Sequence, residues 1–216
     1  MRASVLLIAA LALAGPASNA SARKPCALQA GYSVLKETRA AVAAWRPNSE
    51  GAEPFSGVTY RACLKSVGRW RTLDAGTWDG HSGHNPAYVA LGGRYAAVSI
   101  DTGDSKAYAI TVEVVNLRTD HHRAPLYITR NDVDGQHLSY LAKLRVSRYA
   151  TLSWVLVEDK DPGSKPARWH LTGHNADGTR VLQNGAPHTF HQIRFRGTRL
   201  EWVHHGRAFS ADLGRR

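Results

Sequence analysis

The chain carries 11 histidines in 216 residues, and their pairing is the first pattern with chemical content. His81-x-x-His84 and His188-x-x-His191 fall in loop-like stretches, His121-His122 marks a turn, and His204-His205 precedes the last hairpin. Neutral imidazoles bind Zn²⁺ or Cu²⁺ when three or more converge, usually beside Cys or carboxylates. None of these pairs has that company in the sequence, so solvent-exposed turn histidines are expected and no metal site is assigned. The carboxylates are as uninformative. Asp101 and Asp104 flank a glycine, and Glu158, Asp159 and Asp161 crowd a loop; both sets read as solvated turns rather than as the acid and base of glycoside hydrolysis. The chain has no G-x-S-x-G, which excludes the serine elbow as a motif. Gly92-Gly93 precedes no helix and so makes no phosphate cradle. The sequence motivates no catalytic residue and no cofactor, and it leaves binding residues unassigned.

Arginine is informative through its spacing. Arg39-Ala-Ala-Val-Ala-Ala-Trp45, Arg94-Tyr-Ala-Ala-Val-Ser-Ile100, Arg148-Tyr-Ala-Thr-Leu-Ser-Trp154 and Arg196-Gly-Thr-Arg-Leu-Glu-Trp202 are variations on one strand. Their last residues lie 55, 54 and 48 positions apart, which is a structural repeat period. Around these segments period-2 alternation predicts strands, in modules of about 32–74, 87–128, 138–183 and 190–213. The stretches Pro47 to Gly57, Gly76 to Pro86 and Asp159 to Pro166 read as loops. Asp177-Gly178 and His205-Gly206 read as hairpin turns. Leu138–Val146 is expected as a strand, and helix is nearly absent, apart from a turn near Asn131–Gly135 and a helical reading of Leu138–Leu144 as the other possibility for that stretch. A tryptophan in such a strand buries roughly 150–250 Å², a gross gain of about 4–6 kcal/mol, so Trp45, Trp154 and Trp202 are core candidates before they are ligand platforms.

The ends and the charge bear on compartment. Arg2, the apolar run Val5 to Ala14, the Gly15-Pro16 break and Ala20-Ser21-Ala22 make residues 1–22 a secretory signal. An apolar run of about 10 residues is too short for a bilayer that needs roughly 20, and no later segment is long enough to span. Residues 23–216 then form a single β-repeat domain. In an oxidising compartment Cys26 and Cys63 are expected to form one disulfide, worth about 4 kcal/mol by loop closure. The net charge is +11, which favours anionic partners, yet the basic residues are scattered. A nucleic-acid partner would call for a basic stripe with interleaved aromatics, so none is expected.

Short antiparallel strands in groups of about four are the sequence form of β-propeller blades. Gly93-Arg-Tyr-Ala-Ala-Val-Ser-Ile100 with Val112-Glu-Val-Val-Asn-Leu-Arg-Thr119, Leu152-Ser-Trp154 with Trp169 and Asp177-Gly-Thr-Arg-Val-Leu182, and Phe195 to Trp202 resemble the WD40-like or TolB-like β-propeller repeats of secreted bacterial proteins. The resemblance covers most of residues 32–213 and implies an all-β fold: four antiparallel modules in a small or incomplete propeller-like arrangement, with a β-sandwich as the alternative. The last module is short, so ring closure requires the N-terminal strand to complete the last sheet; otherwise the stack stays open or a dimer completes the ring. Thr72-Leu-Asp-Ala-Gly-Thr-Trp78 nearly matches the Asp-box hairpin of sialidase-like propellers. In a closed ring Arg39, Arg94, Arg148 and Arg196 would converge, whereas the simpler expectation is an arginine opening each strand with its head in water. The function these features imply is a secreted, non-enzymatic binding or scaffold protein contacting an anionic cell-envelope polymer or another exported protein. The alternative is a propeller-type hydrolase acting on carbohydrate or lactone.

Overall fold

The computed structural model describes residues 26–47, 58–78, 82–104, 107–132, 138–159 and 167–214, and all their regular elements are β-strands. The first sheet holds β1 (Ser33–Glu37), β2 (Ala41–Pro47), β3 (Val58–Leu64) and β4 (Arg69–Ala75). The second holds β5 (Thr77–Trp78), β6 (Ser82–Gly92), β7 (Tyr95–Asp104), β8 (Ala107–Asn116), β9 (His121–His122) and β10 (Leu126–Asp132). The third holds β11 (Leu138–Val146), β12 (Leu152–Asp159), β13 (Arg168–Asn175) and β14 (Gly178–Gly185), and the fourth holds β15 (Phe190–Arg196), β16 (Arg199–His204) and β17 (Arg207–Asp212). All four sheets are antiparallel, with strands in chain order except that β9 and β10 both pair with β8, and none closes into a barrel. No helix among the described residues is long and apolar enough to cross a membrane.

Several local expectations are corrected. Part of the Gly76 to Pro86 loop is strand, because β6 and β7 extend together from Gly92↔Tyr95 out to Ser82↔Asp104. Asp101 and Asp104 therefore lie within β7, and the glycine between them, Gly103, is a strand residue; Asp101 is half-buried, and desolvation raises its pKa. The near Asp-box runs from β4 into β5 and so crosses between two sheets instead of forming a hairpin. Leu138–Leu144 is β11, where pairing with β12 overrides the helical pattern. Asn175 pairs with Gly178, so the hairpin turn is Ala176-Asp177, one residue earlier than the Asp-Gly signal. His205-Gly206 does form the last turn, both at positive φ. The signal segment and most of the loops 47–57 and 159–166 lie outside the described residues.

Strand alternation gives each sheet two faces, and the sheets pack in succession. Ala41, Ala43, Ala62, Leu64 and Leu73 of the first sheet pack on Ala96, Val98, Ile100, Val115 and Leu117 of the second. Tyr95, Ala97, Val112 and Val114 on the second sheet's other face meet Leu141, Leu144, Leu152 and Trp154. Val155, Val157, Trp169 and Leu171 on the far side of the third sheet meet Phe190, Ile193, Leu200 and Trp202. Ile100, Trp154 and Trp202 thus each face the preceding sheet, at 4%, 4% and 5% exposure. Trp45 does not: it alternates with Ala41 and Ala43 toward the following sheet and is only half-buried. Aligning the first module on its tryptophan shifts it by one residue, and in a strand that exchanges the faces.

The succession does not close through its last sheet. β1 pairs with β2 and β17 pairs with β16, so the N-terminal strand does not complete the fourth sheet. The fourth sheet's far face carries Arg194 and Arg196, 58% and 67% exposed. On the first sheet, Val42, Ala44 and Cys63 of the far face are buried, and there the N-terminal arm lies. Cys26 is disulfide-bonded to Cys63, the Trp70 indole donates to Ala27 O at 3.0 Å, and the Tyr32 ring lies under Arg46 and Arg61.

One contact between sheets allows no side chain. A Cβ on Gly92, at the end of β6, would stand 2.2 Å from Val146 O and 2.7 Å from Val146 C. Gly92→Ala is expected to destabilise by about 1–3 kcal/mol, the cost of overpacking a fixed interior, measured by urea denaturation. In the same assay Trp202→Ala should cost about 3–5 kcal/mol and Trp45→Ala distinctly less, because it removes less buried area.

Candidate anion-binding rim

The Gly92 contact brings two turns together. Gly92 pairs with Tyr95, which leaves Gly93-Arg94 as a two-residue loop. Gly93 has φ +59 and sits so close to the next turn that a Cβ on it would meet Arg148 Cβ at 2.9 Å. A positive φ at the first central position is what glycine supplies in such hairpins. The facing turn, residues 147–151, folds around Ser147. Its backbone N–H donates to Thr151 O at 2.8 Å, and its hydroxyl accepts from Tyr149 N and Thr151 N, each at 3.1 Å. Ser147 is buried, so Arg148 and Tyr149 are left pointing outward, and Tyr149 is 53% exposed.

A third arginine joins them. β9 pairs with β8 at Val115↔His122, and Arg123, the next residue, donates its backbone N–H to Val114 O. The Arg94 and Arg123 guanidinium carbons lie 5.2 and 5.8 Å from the centre of the Tyr95 ring. Arg94 also donates to the Tyr95 hydroxyl at 3.1 Å, and Arg148 lies 4.9 Å from its own neighbour, the Tyr149 ring. Cation–π contacts of this kind contribute about 0.5–2 kcal/mol each, enough to orient a guanidinium without neutralising it. Among the described residues none of the three arginines has a carboxylate partner. Three other arginines are paired with carboxylates: Arg71 with Asp120, and Arg194 and Arg196 with Glu201.

Arg123 and Tyr149 open onto a cleft of about 490 Å³ that continues past Thr151 and His174 to the C-terminal end of β17. His174 Nδ1 is 2.8 Å from Thr179 Oγ1. Desolvation, and next the charge of Arg123, hold the His174 pKa below its ordinary value, so at neutral pH the imidazole is uncharged and hydrogen-bonds without adding charge. The adjoining cleft, about 570 Å³, holds Arg180, which donates to Asp212 O at 2.8 Å. The whole presents guanidinium donors above an aromatic floor, the arrangement suited to flat or tetrahedral oxyanions.

The four repeat arginines therefore do not meet at one point. Arg94 and Arg148 adjoin, Arg39 lies at the bend before β2, and Arg196 ends β15 beside Glu201. Arg123 belongs to no repeat, and only the register of β9 reveals its place. The histidine pairs divide among separate contacts. The His188 ring lies 4.8 Å from Trp169, His122 Nδ1 lies 2.5 Å from Glu113 Oε1, and His204 stacks on Phe190 with His205 edge-on. His191 is exposed, His84 pairs with Thr77 in the sheet, and His81 lies outside the described residues. Among the described residues no three His, Cys, Asp or Glu side chains gather as a metal site.

No family model matches the chain, and no curated protein matches it. Among solved structures, the chain is similar to a polysaccharide lyase, ulvan lyase, in a form bound to -[GlcA(1-4)Rha3S]- and in a second structure of the same enzyme. Both similarities have a TM-score of 0.48 at 11% identity and cover 81% of this chain and 52% of the other. The chain thus spans about half the length of those enzymes.

Proposed function

We propose that this protein is an extracytoplasmic binding protein whose arginine–tyrosine rim holds the acidic groups of an anionic envelope polymer. The observation that carries the reading is the convergence of Arg94, Arg123 and Arg148, none with a carboxylate partner among the described residues, at the mouth of an open cleft. An exposed, uncompensated group of guanidiniums attracts anions over about a Debye length, 8–10 Å at physiological salt. The exposed Tyr149 ring gives a sugar ring a flat surface. The net charge of +11 supports the same partner class, and the Cys26–Cys63 disulfide fits an oxidising compartment. The resemblance to secreted TolB-like propeller repeats fits a protein that presents its turns to a partner.

Binding of dextran sulfate and of poly-glutamate, followed by fluorescence anisotropy at several salt concentrations, tests the proposal. Each single variant, Arg94→Gln, Arg123→Gln or Arg148→Gln, is expected to weaken binding about fivefold, ~1 kcal/mol for an exposed charge contact, and the triple variant to flatten the salt dependence. Binding by the triple variant equal to wild type at every salt concentration would overturn it.

A further inference from the structure

The cleft at the rim lies in the seam between the second and third sheets, and each sheet sends one basic side chain into it. Val114 and Trp154 share a core cluster in that seam. Arg123 enters from the second sheet, held by its backbone N–H, which donates to Val114 O at 2.9 Å. His174 enters from the third. It pairs with Leu152 on one side and Thr179 on the other, which puts it on the face turned to the second sheet, its ring centre 6.5 Å from that of Trp154. The end of β17 closes the cleft. A Cβ on Gly173 would stand 2.7 Å from Leu213 Cδ1, and the Asn175 amide donates to Leu213 O at 3.2 Å.

Arg123, Tyr149 and His174 are the titratable groups lining this cleft of about 490 Å³, and no carboxylate lines it among the described residues. Trp154 from β12, Thr151 from the 147–151 turn and Thr198 beside β16 bring no charge. Asp177, Arg180 and Asp212 line the adjoining cleft, where Asp212 accepts from the Thr198 hydroxyl at 2.9 Å and from Gly214 N at 2.8 Å. The imidazole is held through one nitrogen. Nδ1 lies 2.8 Å from Thr179 Oγ1, whereas Nε2 has no hydrogen-bond partner among the described residues and is open to solvent, unlike His204 Nε2, which is buried without one. A hydroxyl both donates and accepts, so Thr179 holds the ring with or without a proton on Nδ1, and protonation costs no hydrogen bond. Burial and, next, the charge of Arg123 keep the ring neutral at pH 7. An anion in the cleft offsets the second cause and gives a protonated Nε2 an acceptor.

We propose that this cleft is a proton-linked anion site, in which His174 takes up one proton from solvent as an acidic group of the ligand settles against it and Arg123. The protein then holds an anionic polymer more tightly in acid than at neutral pH. This rests on the reading of the rim as an anion-binding surface and adds its regulation. Histidine is the side chain whose charge changes in this range, and linkage is reciprocal: if the anion raises the pKa of His174 by one unit, protonation of His174 tightens the anion about tenfold.

Dextran sulfate is the probe, because its sulfate groups stay ionised across the range of histidine titration, about pH 5 to 8. Fluorescence anisotropy at constant ionic strength should show affinity rising as the pH falls. His174→Gln should lose about tenfold of that rise, whatever its affinity at pH 8, and the other histidines supply the part that remains. In the wild-type protein the His174 ring protons, followed by NMR, should titrate about one pH unit higher with a saturating short dextran sulfate oligomer than without it. That measurement stands should the variant fold poorly. Absence of dextran sulfate binding would remove the rim reading and this one together. Binding that depends on the rim arginines, with a pH dependence unchanged in His174→Gln or with His174 titrating alike with and without the oligomer, would overturn this proposal alone.

Discussion

The turn between β6 and β7 lies on the backbone of β11, and it does so because position 92 has no side chain. At 2.2 Å from a hypothetical Cβ, Val146 O leaves room for a hydrogen only. From that contact follow the position of Arg94 over Tyr95, the approach of Gly93 to Arg148, and the packing of Tyr95 against Leu144 and Trp154. Interiors packed at crystal density pass such displacements on to their neighbours. The rim is thus a property of how the second and third sheets meet, not of any one loop.

Strand positions were largely legible because alternation and turn residues agree along most of the chain. In the third sheet even the end residues of β11, Leu138 and Val146, follow from the pattern. Facing was less legible. Trp45 invites alignment with Trp154 and Trp202, yet Ala41 and Ala43 decide which side of β2 meets the second sheet, and alanines carry little signal. The register shifts of β1 against β2 and of β11 against β12 were invisible for the same reason: the extra residue, Leu35 or Ala142, shows only as a one-residue phase slip, which short strands do not resolve. Arg123 was unreadable as a site residue because its neighbours in space, Tyr95 and Tyr149, come from β7 and from the 147–151 turn.

The charge is sorted rather than spread. Around the rim the arginines stand without carboxylates among the described residues, while some cations on other surfaces are matched, as where Lys65 meets Glu37 and Arg194 meets Glu201. Part of the excess of +11, scattered in the sequence, is brought together in space where the 93–94 and 147–151 turns meet Arg123. The distinction matters because exposed pairs contribute little to stability, while unmatched groups raise the local potential felt by an approaching anion.

The arm on the first sheet links folding to chemistry outside the chain. Its hold on Cys63 closes only where thiols oxidise, and loop closure of this length contributes about 4 kcal/mol. Under reducing conditions the far face of β2 and β3 depends on the Trp70–Ala27 hydrogen bond and on two arginines stacked over Tyr32. The first sheet therefore differs from the other three: its outer surface is fully held only where Cys26 and Cys63 are oxidised to each other.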